Sequence, residues 1–185
     1  MYYDAQRKLA FVFPIRTGST TFYKILENAG LASVSGEKHI LMRDALVKMP
    51  ELQNYSVYGF FRDPVDRFLS IKRYMLQLVP RILQYTNPKG LEFVKNEDYE
   101  NAVLELPGYF TKQTDWLETA TLLDFRNYTP EVLRVMKMLD IKQVSISVNN
   151  WTENSDEVPS QKVIDFVQSY YADDYRLGRE RGLLT

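Results

Sequence analysis

Two short stretches of this chain gather cations and hydroxyls in patterns that could hold an anion. The first is Arg16-Thr17-Gly18-Ser19-Thr20-Thr21, which follows the apolar run Leu9 to Phe13 and precedes Phe22, Ile25, Leu26 and Ala29 at helical spacing. A strand that breaks into such a turn and re-forms as a helix offers free backbone N–H groups, hydroxyl donors and one guanidinium around a single point, which is what a phosphate oxygen requires. Gly18 allows the backbone to approach that oxygen closely. The same residues fit a second reading, in which Ser19 or Thr20 caps the helix and Arg16 is solvated. The second stretch is Arg62-Asp63-Pro64-Val65-Asp66-Arg67-Phe68-Leu69-Ser70, again directly after an apolar run. Two turns of this kind could grip a ligand that carries two separated phosphates.

The elements that must position these residues follow from periodicity and punctuation. Leu9 to Phe13 reads as a buried strand bounded by Pro14, and the helix from Ser19 stops at Gly30. Ala32 to Ser35 suggests a second strand. The polar turn Gly36-Glu37-Lys38-His39 leads to a helix carrying Ile40, Leu41, Ala45, Leu46 and Met49, which Pro50 ends. Ser56 to Phe61 reads as another strand, with Asp63 as N-cap and Pro64 at the first position of a helix running to about Pro80. Residues 80–110 are the least regular part, with one helix expected over Asp98 to Leu106; they suit either a lid or pocket wall, or a peripheral helical hairpin. A strand over Thr121 to Phe125, a helix over Pro130 to Leu139, a strand over Val144 to Val148, a polar loop from Asn149 to Pro159 and a final helix capped by Ser160 complete the chain. Alternating strands and helices predict an α/β domain, 1–185, with a mainly parallel sheet flanked by helices in three layers, and anion sites at the carboxyl ends of its strands.

Composition narrows the chemistry. At 185 residues, 45% of them hydrophobic, the chain can bury a sizeable core. Its 23 Lys+Arg balance 24 Asp+Glu for a net charge of -1, so nothing in the overall charge favours nucleic acid or an anionic membrane, and any anion site must be local. The absence of cysteine excludes thiol catalysis and thiolate metal sites, and a single histidine, His39, argues against a histidine-based metal centre. No apolar run approaches membrane-spanning length, so a soluble, cytoplasmic protein is the expectation.

Arg16-Thr17-Gly18-Ser19-Thr20-Thr21 and Arg62-Asp63-Pro64-Val65-Asp66-Arg67-Phe68-Leu69-Ser70 together resemble the two signatures of the PAPS-dependent sulfotransferases: a basic residue with Ser/Thr-Gly-Ser/Thr-Thr after a strand, then Arg-Asp-Pro-x-x-Arg-x-x-Ser. The base here is Arg16, preceded by Ile15, where many members have lysine directly after proline. Lesser similarities follow in order: Gln113-Thr114-Asp115-Trp116-Leu117 to a segment near the acceptor cleft of carbohydrate sulfotransferases, Val148-Asn149-Asn150-Trp151-Thr152 to a later loop, and Tyr170-Tyr171-Ala172-Asp173-Asp174-Tyr175 to a terminal helix. The resemblance implies a P-loop-NTPase-like sulfotransferase fold and transfer of a sulfuryl group from PAPS to a hydroxyl or amine of a small-molecule or glycan acceptor, leaving adenosine 3′,5′-bisphosphate.

On that resemblance, Arg16 with the backbone and hydroxyls of Thr17, Gly18, Ser19, Thr20 and Thr21 would hold the 5′-phosphosulfate and stabilise the leaving phosphate. Arg62 and Ser70 would anchor the 3′-phosphate, and no metal is required. The acceptor needs a base. Glu37 falls where related enzymes place a catalytic glutamate, and His39 titrates near neutrality. Trp116 and Trp151 suit sugar stacking or core packing equally, Lys72 and Arg73 could extend the 3′-phosphate site, and Arg67 is spaced to pair with Asp63. Two other functions fit a phosphate-binding turn. A nucleotide or small-molecule kinase is disfavoured, because Gly-x-x-x-x-Gly-Lys-Ser/Thr is absent and no acidic magnesium site is evident. A non-catalytic phosphoadenosine-binding module is the other.

Overall fold

The strand Leu9–Val12 (β2) buries all four of its side chains, because strands flank it on both sides and helices cover both of its faces. The computed structural model describes residues 1–142 and 158–185. The sheet order is β3-β1-β2-β4-β5, with β1 Tyr2–Asp4, β3 Ala32–Ser33, β4 Ser56–Phe61 and β5 Thr121–Asp124. β1 pairs antiparallel with β2 and with β3, while β2–β4 and β4–β5 are parallel. The sheet is therefore mixed, and the parallel character expected from the sequence is confined to its β2-β4-β5 half. β1, which the alternation of strands and helices did not predict, enters through a tight hairpin. Asp4 accepts from the Arg7 backbone N–H at 2.9 Å and from its guanidinium at 2.7 Å.

Period-two alternation sends successive residues to opposite faces. Leu9, Phe11, Phe60 and Leu123 meet helices α1 (Ser19–Asn28) and α9 (Tyr128–Met138) through Phe22, Ile25, Leu26, Val132 and Val135. Ala10, Val12, Val57 and Phe61 meet the other layer: α2 (Met42–Lys48), α8 (Thr114–Leu117) and α11 (Ala172–Glu180), with Ala45, Trp116, Leu117 and Leu177. α1 ends as its sequence predicts: Gly30 takes φ 78° and donates to Glu27 O, while Leu31 N donates to Leu26 O, satisfying two of the helix's last carbonyls.

A third core lies among helices. α3 (Pro64–Arg73) starts as expected, Asp63 accepting from Val65 N and Asp66 N. It stays α-helical only to Arg73, then widens into a π-helical stretch over Tyr74–Leu78 before Pro80 opens α4 (Pro80–Thr86). Residues 80–110 are regular, contrary to the expectation from sequence. α4, α5 (Pro88–Lys95), α6 (Tyr99–Glu105) and α7 (Pro107–Phe110) bury Leu83, Leu91, Val94, Tyr99, Ala102, Leu106 and Phe110 with Phe68, Ile71 and Met75, and with Val163 and Val167 of α10 (Gln161–Tyr170). Ser160 caps α10 by accepting from Val163 N. The expected strand over Val144 to Val148, the Val148 to Thr152 segment with Trp151, and most of the loop before Pro159 lie outside the described residues. No described helix is long and apolar enough to cross a membrane.

Candidate functional site: an anion cradle at two strand-to-helix turns

β2 and β4 are parallel neighbours, so the turns that follow them lie side by side at the carboxyl ends of the strands. In the first turn Arg16 and Gly18 both adopt left-handed conformations, φ 66° and 72°. For a residue with a side chain this costs about 1–2 kcal/mol, so surrounding contacts must hold Arg16 there.

Side chains hold nearly every carbonyl of this turn. His39 Nδ1–H donates to Phe13 O at 2.7 Å, and Thr17 Oγ1 donates to Pro14 O at 2.8 Å. Arg67 Nε donates to Ile15 O at 3.0 Å, Arg62 Nη1 to Arg16 O at 3.1 Å, and Tyr128 Oη to Gly18 O at 2.7 Å. In a planar trans peptide the N–H points opposite to the C=O. Fixing these oxygens therefore turns the N–H groups of Ile15, Arg16, Thr17 and Ser19 away from the side chains that hold the carbonyls. The N-cap of α1 is Gly18, with no side-chain hydrogen bond, so the helix start is left with free donors and neither Ser19 nor Thr20 caps it.

The second stretch interlocks with the first. Arg16 Nε donates to Ser70 Oγ at 3.0 Å, and its guanidinium lies 4.9 Å from the Tyr74 ring centre. Arg62 stacks 4.7 Å from the Phe125 ring centre, and its Nε is buried with no hydrogen-bond partner among the described residues. Burial pushes the Arg62 pKa down to about 10, opposed by Asp66 and reinforced by Arg16, Arg73 and Arg67; burial lowers Arg16 as well. Guanidinium stays protonated, so these shifts reflect mainly the cost of burying a charged group, with neighbouring arginines adding to it.

Arg67 does not pair with Asp63. Its guanidinium is buried, donating to Ile15 O and, at 2.6 Å, to Thr111 O, with Asp174 at 3.9 Å. Asp174 accepts from the backbone N–H groups of Gln113 and Thr114, each at 2.9 Å. The Gln113 amide then pairs with both backbone groups of Arg62, accepting from its N–H at 2.9 Å and donating to its C=O at 2.8 Å. The Gln113 segment and the terminal helix thus brace Arg62 from behind, and Trp116 is buried in the core with Nε1–H donating to His39 O.

The structure brings Arg16, Thr17, Gly18, Ser19, Arg62 and Ser70 together, with two hydroxyls already committed: Thr17 to Pro14 and Ser70 to Arg16. Thr20 is exposed on the first turn of α1 and Thr21 is half-buried beside it. Neither candidate base faces the turn in the manner expected. The exposed Glu37 carboxylate pairs with Lys48 Nζ at 2.8 Å. His39 is a carbonyl holder whose Nδ1 must carry the proton, and burial lowers its pKa to about 4. Sequence reasoning missed three contributors: Lys38, whose Nζ donates to Thr20 Oγ1 at 2.9 Å, and Phe125 and Tyr128, which close over Gly18. Phe125 was legible only as the end of a predicted strand and Tyr128 not at all, falling between that strand and the helix expected from Pro130, since no local pattern shows that β5 lies next to β4.

No family model, curated protein or solved structure matches this chain.

Proposed function

We propose that the chain is a PAPS-dependent sulfotransferase with the P-loop-like sulfotransferase fold, in which the two turns form the donor site. The observation that carries this reading is that two arginines of the second stretch, Arg62 and Arg67, hold the carbonyls of the first turn, so that both motifs build one N–H-lined, cationic cradle. The residues fit a bisphosphorylated donor: N–H groups and Arg16 for one phosphate, and Arg62 Nε, which has no partner among the described residues, for the other. PAPS supplies a sulfuryl group on a good leaving phosphate. The acceptor oxygen or nitrogen bonds to sulfur as the sulfur–oxygen bond to that phosphate breaks, and the acceptor's proton passes to solvent water. Arg16 and the turn N–H groups stabilise the charge left on the phosphate.

A non-catalytic phosphoadenosine-binding module is the second reading, and the Glu37–Lys48 pair favours it by occupying the expected base. Calorimetry tests the donor site that both readings share. Adenosine 3′,5′-bisphosphate is expected to bind more tightly than AMP, and Arg62→Ala to weaken it by about 10- to 100-fold, the loss of one charge-assisted hydrogen bond. If the bisphosphate binds no better than AMP and Arg62→Ala changes nothing, the donor-site reading is wrong. Labelled sulfate transfer from PAPS to sugars, phenols and peptides separates enzyme from module.

A further inference from the structure

Lys38 is a cation near the first turn that no sequence motif marks, and its surroundings are unusual. It sits between the paired Glu37 and the carbonyl-holding His39, yet its own ammonium crosses to α1. There it donates to Thr20 Oγ1 at 2.9 Å and lies 5.4 Å from the Tyr23 ring centre. The charged groups acting on it are Arg16 from the turn and Lys24 from the next turn of α1, both of its own sign. Its neighbour Glu37 faces Lys48, and no described carboxylate forms an ion pair with Lys38. A half-buried ammonium held by a neutral hydroxyl and surrounded by like charge is poised for an anion, and that hydroxyl belongs to the first turn of α1, whose N-cap Gly18 offers no side-chain hydrogen bond.

We propose that Lys38 is a donor-binding residue that contacts the 5′-phosphate end of the nucleotide at the first turn of α1, the position for which the sequence offered Glu37 and His39 as bases. This rests on the donor-site reading and assigns Lys38 to its 5′ half only. Arg62 serves the 3′ half. Burial, with Arg16 and Lys24, lowers the Lys38 pKa to about 8. The sign follows: the ammonium is charged below that pH and lost above it, and a bound phosphate restores the charge, so binding near pH 8 takes up a proton.

The test uses AMP, adenosine 3′-monophosphate and adenosine 3′,5′-bisphosphate with the full chain and its Lys38→Met, Lys38→Arg and Arg62→Ala variants, each first shown to unfold at the parental temperature. Lys38→Met is expected to weaken AMP and the bisphosphate about tenfold or more while leaving the 3′-monophosphate unchanged; Arg62→Ala weakens the 3′-monophosphate and the bisphosphate by that much and AMP less, through the Arg16 carbonyl that Arg62 holds. Calorimetry in buffers of different ionisation enthalpy is expected to show proton uptake on AMP binding near pH 8 in the parent and none in Lys38→Arg. If the bisphosphate still exceeds AMP and responds to Arg62→Ala, but Lys38→Met leaves AMP binding and proton uptake intact, the Lys38 role is refuted and the donor site stands. If none of the three nucleotides binds the parent, both fall together.

Discussion

The bracing of Arg62 by Gln113 and Asp174 makes a quantitative prediction for Asp174→Ala. Asp174 is fully buried and accepts two backbone N–H bonds, with the equally buried Arg67 at 3.9 Å. Burial pushes the Asp174 carboxyl pKa up against the influence of Arg67 and the two donors, so the assembled pair contributes little net stability. Breaking one half is another matter. Removing the carboxylate leaves two buried N–H groups without an acceptor and a buried guanidinium without a counter-charge, and such losses cost about 3–5 kcal/mol. For a chain of this size that lowers the midpoint of thermal unfolding by about 8–15 °C. Asp174→Asn keeps one acceptor oxygen but turns its NH2 toward the other backbone N–H, so it loses the charge and one hydrogen bond, at a smaller cost of about 2–3 kcal/mol. Urea unfolding of Asp174→Asn, Arg67→Met and the double variant closes a cycle, and a coupling of at least about 1.5 kcal/mol is expected between residues in one buried network. The reasoning is refuted if Asp174→Ala costs less than about 1 kcal/mol, or if the two single costs add in the double variant within about 0.5 kcal/mol.

Two further predictions concern the turn itself. Gly18→Ala places a Cβ 2.5 Å from Tyr128 Cε2 and 3.1 Å from Phe125 Cε2 at φ 72°, so a stability loss of about 2–4 kcal/mol in urea unfolding is expected; a neutral substitution would mean that neither ring closes over the turn. The His39 pKa falls from 6.5 to about 4 on folding because burial disfavours its charged form. The unfolded chain therefore binds the proton first, and stability should be complete above about pH 6.5 and decline by about 2–3 kcal/mol as the pH falls to about 4. His39→Asn, which keeps a donor for Phe13 O, should unfold with that portion of the pH slope missing; an unchanged slope would remove His39 from its buried position.

Much of this architecture was legible from local signals because the signals are themselves local. Asp63 and Pro64 start α3 through hydrogen bonds and a φ restriction within three residues, and Gly30 ends α1 because a left-handed residue is needed there. The strands Leu9–Val12, Ser56–Phe61 and Thr121–Asp124 follow from short apolar runs bounded by breakers. The region 80–110 was misjudged for the opposite reason. Apart from α6, which matches the helix expected over Asp98 to Leu106, its helices are short, broken by Pro80, Pro88 and Pro107, and have too few turns to display a clear period, although together they bury one continuous core.

For the first turn, Arg16 to Thr21, sequence alone determined the inventory: a cation, a glycine and hydroxyls between a strand and a helix, with two further arginines and a serine at a second strand-to-helix junction, Arg62 to Ser70. It left open whether the turn was an anion cradle or a capped helix with a solvated arginine. Only the tertiary structure decided which atoms meet, because hydrogen bonds to the turn carbonyls come from residues 39, 62, 67 and 128, far apart along the chain. It also exchanged the roles of neighbours. One residue of offset in the 37–39 segment sends Glu37 to Lys48, Lys38 to Thr20 and His39 to Phe13, and side-chain direction in a short irregular turn is set by what packs around it rather than by any period the sequence carries.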